Sequence, residues 1–210
     1  MEEKKLTEKE SLDIIVQMIS RTKDRYVGDA NIMLLWGYLT VAVAAAVWIM
    51  LAVTHNPAWN SLWFILCLAG IAMPFISKKS ENNNGAKSYS DRITSGMWCS
   101  EGITAMVSAI CCLGFSLLGN INSWNMMFSL ALLIVPFAEI VQGIVIREKS
   151  LVAGGSVGMA IGIFIACCVA GKQPLYACWC LPAFMVAFIA MMIVPGHILK
   201  YKNRHINERA

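Results

Sequence analysis

Six apolar stretches, each about as long as the hydrocarbon core of a bilayer is thick, constrain this chain more than anything else in it. A spanning helix needs about 20 such residues. With Gly, Pro and charged residues as boundaries, the stretches fall at about 31–54, 59–76, 96–119, 124–146, 150–171 and 174–199. Segments in lipid must satisfy their own backbone hydrogen bonds, so helix is the expected form of each. Three connections, His55 to Ala58, Asn120 to Ser123 and Lys172-Gln173, are so short that the helices they join must be antiparallel neighbours. The expected fold class is therefore all-α, a polytopic membrane bundle of six transmembrane helices in three antiparallel hairpins.

Composition excludes the main alternatives. Apolar residues make up 58% and charged residues 14%, where a soluble domain carries about 25% charged residues. The 210 residues divide into an N-terminal segment, 1–30, the membrane domain, 31–199, and a short tail, 200–210. That leaves no room for a separate catalytic domain. The first thirty residues lack a basic segment followed by an apolar run and a small-residue cleavage site, so the N-terminus is expected to be retained. The net charge of +4 is not a nucleic-acid footprint, because Lys and Arg are scattered between apolar spans rather than gathered in an aromatic-interleaved patch.

The basic residues instead set an orientation. Six lie in the N-terminal segment, four in the loop 77–95, two in the turn 147–149 and four in the tail, against Lys172 alone in the three intervening turns. By the positive-inside rule, six spans with both termini cytoplasmic are expected. Trp59, Trp124 and Trp179 then fall near the outer interface, and Trp36 and Trp98 near the inner one. A weak threefold repeat accompanies this. Trp59-Asn60 and Trp124-Asn125 open spans two and four, and Met73-Pro74-Phe75, Val135-Pro136-Phe137 and Val194-Pro195-Gly196 lie toward the ends of spans two, four and six.

The N-terminal segment reads as a cytoplasmic amphipathic helix from Leu6 to Tyr26. Thr7 and Glu10 form a capping box, and Leu12, Ile15, Met18 and Ile19 make an apolar stripe at helical spacing. Acids at its start (Glu8, Glu10, Asp13) and bases at its end (Arg21, Lys23, Arg25) suit the helix dipole. Such a stripe lies on the membrane surface or docks onto a cytoplasmic protein partner or a second copy. The loop 77–92 is polar, low in complexity and expected to be a linker.

Chemistry is confined to a few residues. In span five, Gly154, Gly158, Gly162, Ala166 and Ala170 lie four apart and make a groove for close helix packing. Acids within the hydrocarbon are costly and raise a functional hypothesis. Glu101 and Glu139 are each nineteen residues from Asn120, hence at one depth in adjacent helices, toward the cytoplasmic side. With Gln142 and His197 they are a candidate polar site for a proton or cation; the bland alternative pairs each acid with Arg92, Arg147 or Lys149 at the interface. The residues fix no particular metal.

The eight cysteines include no Cys-x-x-Cys, and they read mainly as small apolar residues. A thiol cluster from Cys111, Cys112, Cys167, Cys168, Cys178 and Cys180 is the minor alternative. No phosphate loop, zinc-protease or nucleophile-elbow motif occurs, so an enzyme is the minority reading and no cofactor is expected. The functional expectation is a non-enzymatic membrane module coupled to a cytoplasmic partner through its N-terminal helix. A small ion, proton or solute transporter or channel using the embedded carboxylates comes second, and a membrane thiol-redox protein third.

The opening Leu6-Thr7-Glu8-Lys9-Glu10-Ser11-Leu12, followed by Thr22-Lys23 and Leu34-Leu35-Trp36-Gly37-Tyr38, with Trp59 and Trp63-Phe64, resembles a group of bacterial multi-pass inner-membrane proteins of unknown function. The resemblance covers the N-terminal segment and the first two spans. It implies a bacterial inner-membrane location and supplies no site residue.

Overall fold

The computed structural model describes residues 8–81, 89–119 and 123–207, with side chains described for 30–72, 92–119, 123–202 and 204. Every regular element among these residues is helical: α1 (Glu8–Thr54), a 3-10 segment (Pro57–Trp63), α2 (Phe64–Glu81), α3 (Tyr89–Gly119), α4 (Trp124–Val145), α5 (Lys149–Ala170), α6 (Ala177–Phe188), a π-helical turn (Ile189–Ile193) and α7 (Val194–Asn207). Five helical stretches are long and apolar enough to cross a membrane: Ala30–Thr54, Arg92–Gly119, Trp124–Val145, Lys149–Ala170 and Ala177–Lys202. The apolar helical stretch Pro57–Ala72, which overlaps the expected second span, is shorter over the residues whose side chains are described. It opens as a 3-10 segment, where Asn56 Oδ1 accepts the Ala58 N–H at 3.0 Å and Pro57 stands at the start.

The N-terminal segment and first span form one helix. The backbone runs unbroken from Glu8 to Thr54 over 47 residues. Thr7 of the expected capping box lies outside the described residues, as do the side chains of Leu12, Ile15, Met18 and Ile19. In the polar segment 77–92, residues up to Glu81 continue α2, residues from Tyr89 belong to α3, and 82–88 lie outside the described residues.

The last span, α6 through α7, lies between α1 and α5, and α4 packs on α5 and carries α3. Phe184 anchors the core: its ring stacks on Phe128 at 4.9 Å, leans on Phe188 at 4.5 Å and meets Trp63 edge-on at 5.3 Å. Around it Leu132, Leu151, Ile165 and Met191 have no exposed surface. The outer surfaces are apolar, with Ile103, Phe115, Leu117, Leu118 and Phe164 all exposed. In water a surface this apolar would aggregate, and lipid satisfies it.

The most extensive pairing joins α4 to α5, across the expected hairpins rather than within one. Glycine explains why. A Cβ at Gly162 would strike the Leu132 carbonyl, and one at Gly155 would come within 2.9 Å of the Pro136 oxygen. Backbone therefore meets backbone, where van der Waals contact is the main attraction between helices in lipid. On its other side α5 meets the π turn: Gly154 faces the Ala190 carbonyl, and a Cβ at Gly158 would lie 2.9 Å from Met191 Sδ. Ala166 is half-buried and Ala170 exposed, so the close approach fades toward the end of α5. The π turn has a local cause. Pro195 has no N–H and its ring would collide with the residue 191 carbonyl in a regular helix, so the chain widens over the turn before it.

Three turns use residues other than glycine in the left-handed region: His55 (φ 52°), Arg147 (φ 58°) and Lys172 (φ 54°). At Arg147 and Lys172 the following N–H reaches back five residues, Glu148 to the Gly143 oxygen at 2.8 Å and Gln173 to the Cys168 oxygen at 2.9 Å. These bonds close the helix ends in Schellman fashion.

One ion pair fastens α7 to the start of α5. Lys202 Nζ lies 2.6 Å from Glu148 Oε1, which also accepts from Ser150 Oγ at 3.1 Å. Burial works to raise the Glu148 carboxyl, but the hydrogen bonds from Lys202 and Ser150, with the Lys202 charge, outweigh it and hold the group below the ordinary carboxylate value. A lowered folded value gives stability that is present at neutral pH and lost as pH falls through that value. Lys202 is half exposed, so Lys202→Met should cost less than about 1 kcal/mol. Unfolding of reconstituted protein against pH checks this. The variant should lie slightly below the wild type at neutral pH, and the gap should close in acid.

Candidate functional site

Three of the candidate polar residues, Glu101, Glu139 and Gln142, lie on the pair of helices α3 and α4. Their register is set by one hydrogen bond, in which the Trp98 indole N–H donates to Gln142 Oε1 at 2.8 Å. An indole has only a donor, so the amide oxygen must face it, and the Gln142 NH2 group turns the other way. Three residues on from Trp98 along α3 is Glu101, and three back from Gln142 along α4 is Glu139. In antiparallel helices those steps run in the same direction, so the carboxylates occupy the next layer, on the same faces.

Burial separates their roles. Glu139 has no exposed surface, and neither of its carboxyl oxygens has a hydrogen-bond partner among the described residues. Glu101 is half-buried, with one oxygen, Oε2, enclosed and likewise unpartnered. No basic side chain among the described residues pairs with Glu139, so the arrangement differs from interfacial pairing with Arg147 or Lys149. An unpaired buried carboxyl is costly, which makes this the most strained piece of polar chemistry in the described chain.

His197 is placed elsewhere. It is exposed on α7, and its Nε2 lies 2.8 Å from the Tyr38 hydroxyl on α1. Glu101, Glu139 and Gln142 are therefore brought together on one helix pair, whereas His197 bridges another. Among the described residues no group of three or more His, Cys, Asp or Glu side chains could hold a metal ion. All eight cysteines are free; Cys112 and Cys180 are buried, and Cys112 Sγ lies 3.5 Å from the Ser123 carbonyl oxygen.

Trp98 was the member that sequence reasoning placed in the interfacial belt. Its signal was its spacing: Trp98 and Glu101 repeat the interval of Glu139 and Gln142 in the opposite direction. Trp98→Phe should cost about 1–3 kcal/mol, because it strands the Gln142 carbonyl inside the protein. Adding Gln142→Leu should return most of that loss, since replacing both partners by apolar groups is close to neutral. Thermal unfolding of the two variants in detergent tests the pair.

No protein-family model matches the chain, and no curated protein and no solved structure matches it either.

Proposed function

We propose that the chain is an integral membrane protein that binds a small cation, a proton or a metal ion, between α3 and α4, and works as a small transporter or channel. The observation that carries this reading is Glu139, wholly buried, without a hydrogen-bond partner among the described residues, and in the same layer of the α3–α4 pair as Glu101. A buried acid left unpaired is a standing cost, and a positively charged occupant removes it. In this reading the chain crosses a bacterial inner membrane six times as three hairpins, with both ends cytoplasmic. The segment around Pro57–Ala72 supplies the second crossing, in keeping with the sixteen-to-one division of basic residues.

The test is flux in proteoliposomes carrying the full chain. Internal dyes report a pH gradient and, in separate runs, gradients of Na+, K+ and Ca2+. Wild type should dissipate at least one gradient, and Glu139→Gln should abolish that activity while keeping the helix content and melting behaviour of the parent. A wild type inert to all four ions overturns the reading.

The continuity of α1 favours a second reading, coupling to a cytoplasmic partner or another copy. An unbroken helix from Glu8 links the N-terminal segment to the first span without a hinge. That role requires that polar replacements of Leu12, Ile15, Met18 and Ile19 lose activity, whereas Glu101→Gln and Glu139→Gln keep it. Co-purification after crosslinking in native membranes separates the two readings.

A further inference from the structure

We infer that the occupant of the α3–α4 site is a proton carried by Glu139, with Glu101 as the group that passes it to and from the outside of the bundle. This rests on the cation-binding reading above and narrows it to one ion.

The donor set argues against a metal. Hard cations take six or more oxygens, and softer ones take thiolate or imidazole. Here two carboxylates offer four oxygens at most. The Gln142 carbonyl is already engaged by Trp98, and its amide presents N–H donors that repel a cation. Ser100 and Thr104, the hydroxyls flanking Glu101 on α3, are exposed and donate to carbonyls of their own helix. The elements on the other sides of α4 add nothing: the π turn has no polar side chain, and the titratable groups of α5 are Lys149 at its start and Cys167 and Cys168 near its end. His197 is held by Tyr38 on a different helix pair.

A proton, by contrast, needs no coordination shell. It neutralises the more buried acid and leaves one charge rather than two in the same layer of an apolar interface. The unequal burial then supplies a route. Glu139 is sealed, whereas Glu101, in the same layer, is half-buried with one oxygen enclosed, so it reaches both the interior and the surface. In the transfer the Glu139 O–H bond breaks and an O–H bond forms on the Glu101 carboxylate, leaving Glu139 ionised. Water reaching Glu101 from the cytoplasmic end of the α3–α4 seam then takes the proton from it. No redox partner is needed, and one positive charge moves.

Infrared spectroscopy of the full chain in lipid nanodiscs tests this through the carbonyl stretch of protonated carboxylic acids. Wild type at neutral pH should show a buried-acid band that is absent in Glu139→Gln and unchanged by adding Na+, K+, Mg2+ or Ca2+ in turn. In Glu101→Gln the band should persist, but its exchange in D2O should slow by about a hundredfold, the lower end of what a positioned proton-transfer group contributes. The cation additions and the exchange of the wild-type band need no variant and stand even if a variant misfolds. A band that disappears on adding one of the metal ions overturns the proton assignment and leaves the cation site. No acid band and no response to any cation overturns both. Unaltered exchange in Glu101→Gln removes Glu101 from the route.

Discussion

Gly162→Val should abolish assembly of the α4–α5 pair. At Gly162 a single added carbon would overlap the Leu132 carbonyl and stand 2.7 Å from its carbon. Both belong to backbone in the middle of a helix, so no rotamer change relieves the clash. The helices must separate along their length, and the contacts of Gly155 with the Pro136 oxygen and of Gly158 with Pro136 open with them. Overpacking a core costs about 1–3 kcal/mol where side chains can yield. Here they cannot, and the expected loss exceeds about 3 kcal/mol, enough to unfold a marginal membrane protein. Gly162→Ala should already lower the melting temperature in detergent, and Gly162→Val should give no folded fraction on size exclusion. Gly102→Ala is the control, since nothing lies within 4 Å of the added carbon there. If Gly162→Val melts as the wild type does, the α4–α5 contact is not the one that holds the bundle.

Glu139→Leu should act in the opposite direction on stability and end function. Replacing an unpaired buried polar group by an apolar one of similar size removes its desolvation penalty, about 1–3 kcal/mol. The surroundings are already apolar: Leu132, Pro136 and Ala138 on α4 are buried. The variant should melt several degrees above the wild type and dissipate no gradient. This opposition is diagnostic, because a residue retained for packing alone would lose stability on replacement. A Glu139→Leu protein less stable than its parent would mean that the carboxyl has a structural partner, and the site reading would lose its support.

The helices and the acids were legible in the sequence for different reasons. Long apolar runs leave lipid-exposed backbone no alternative to helix, so the positions of α3, α4 and α5 follow from composition and spacing. That residues 101 and 139 lie level followed from counting outward from the turn near Asn120. Rotation about the helix axes did not follow, because an apolar helix in lipid lacks the polar face that would fix it. It took the Trp98 to Gln142 hydrogen bond to place both acids on the faces where α3 and α4 meet. His197 misled by depth: it belongs near the inner end of its span, yet its neighbour across the interface is Tyr38, a pairing between residues 159 positions apart that no local pattern signals. The π turn was also hidden. Pro195 was visible, but whether a proline kinks a helix or widens it depends on the helices packed beside it.

The unbroken α1 has a mechanical consequence. Of its 47 residues, the last 25 are the apolar stretch from Ala30, so the polar part extends about 33 Å beyond it at 1.5 Å per residue. A rod of that length amplifies small rotations: a change of about 10° in the inclination of the first span sweeps the far tip through about 6 Å. The lever is seated where such a rotation would originate, because Gly37 lets α1 settle against Met192 and Ile193 of the π turn, and Leu34 rests on Gly196 beyond it. A shift of the widened turn by a fraction of a residue would therefore register at the end of α1 as a displacement the size of a side chain.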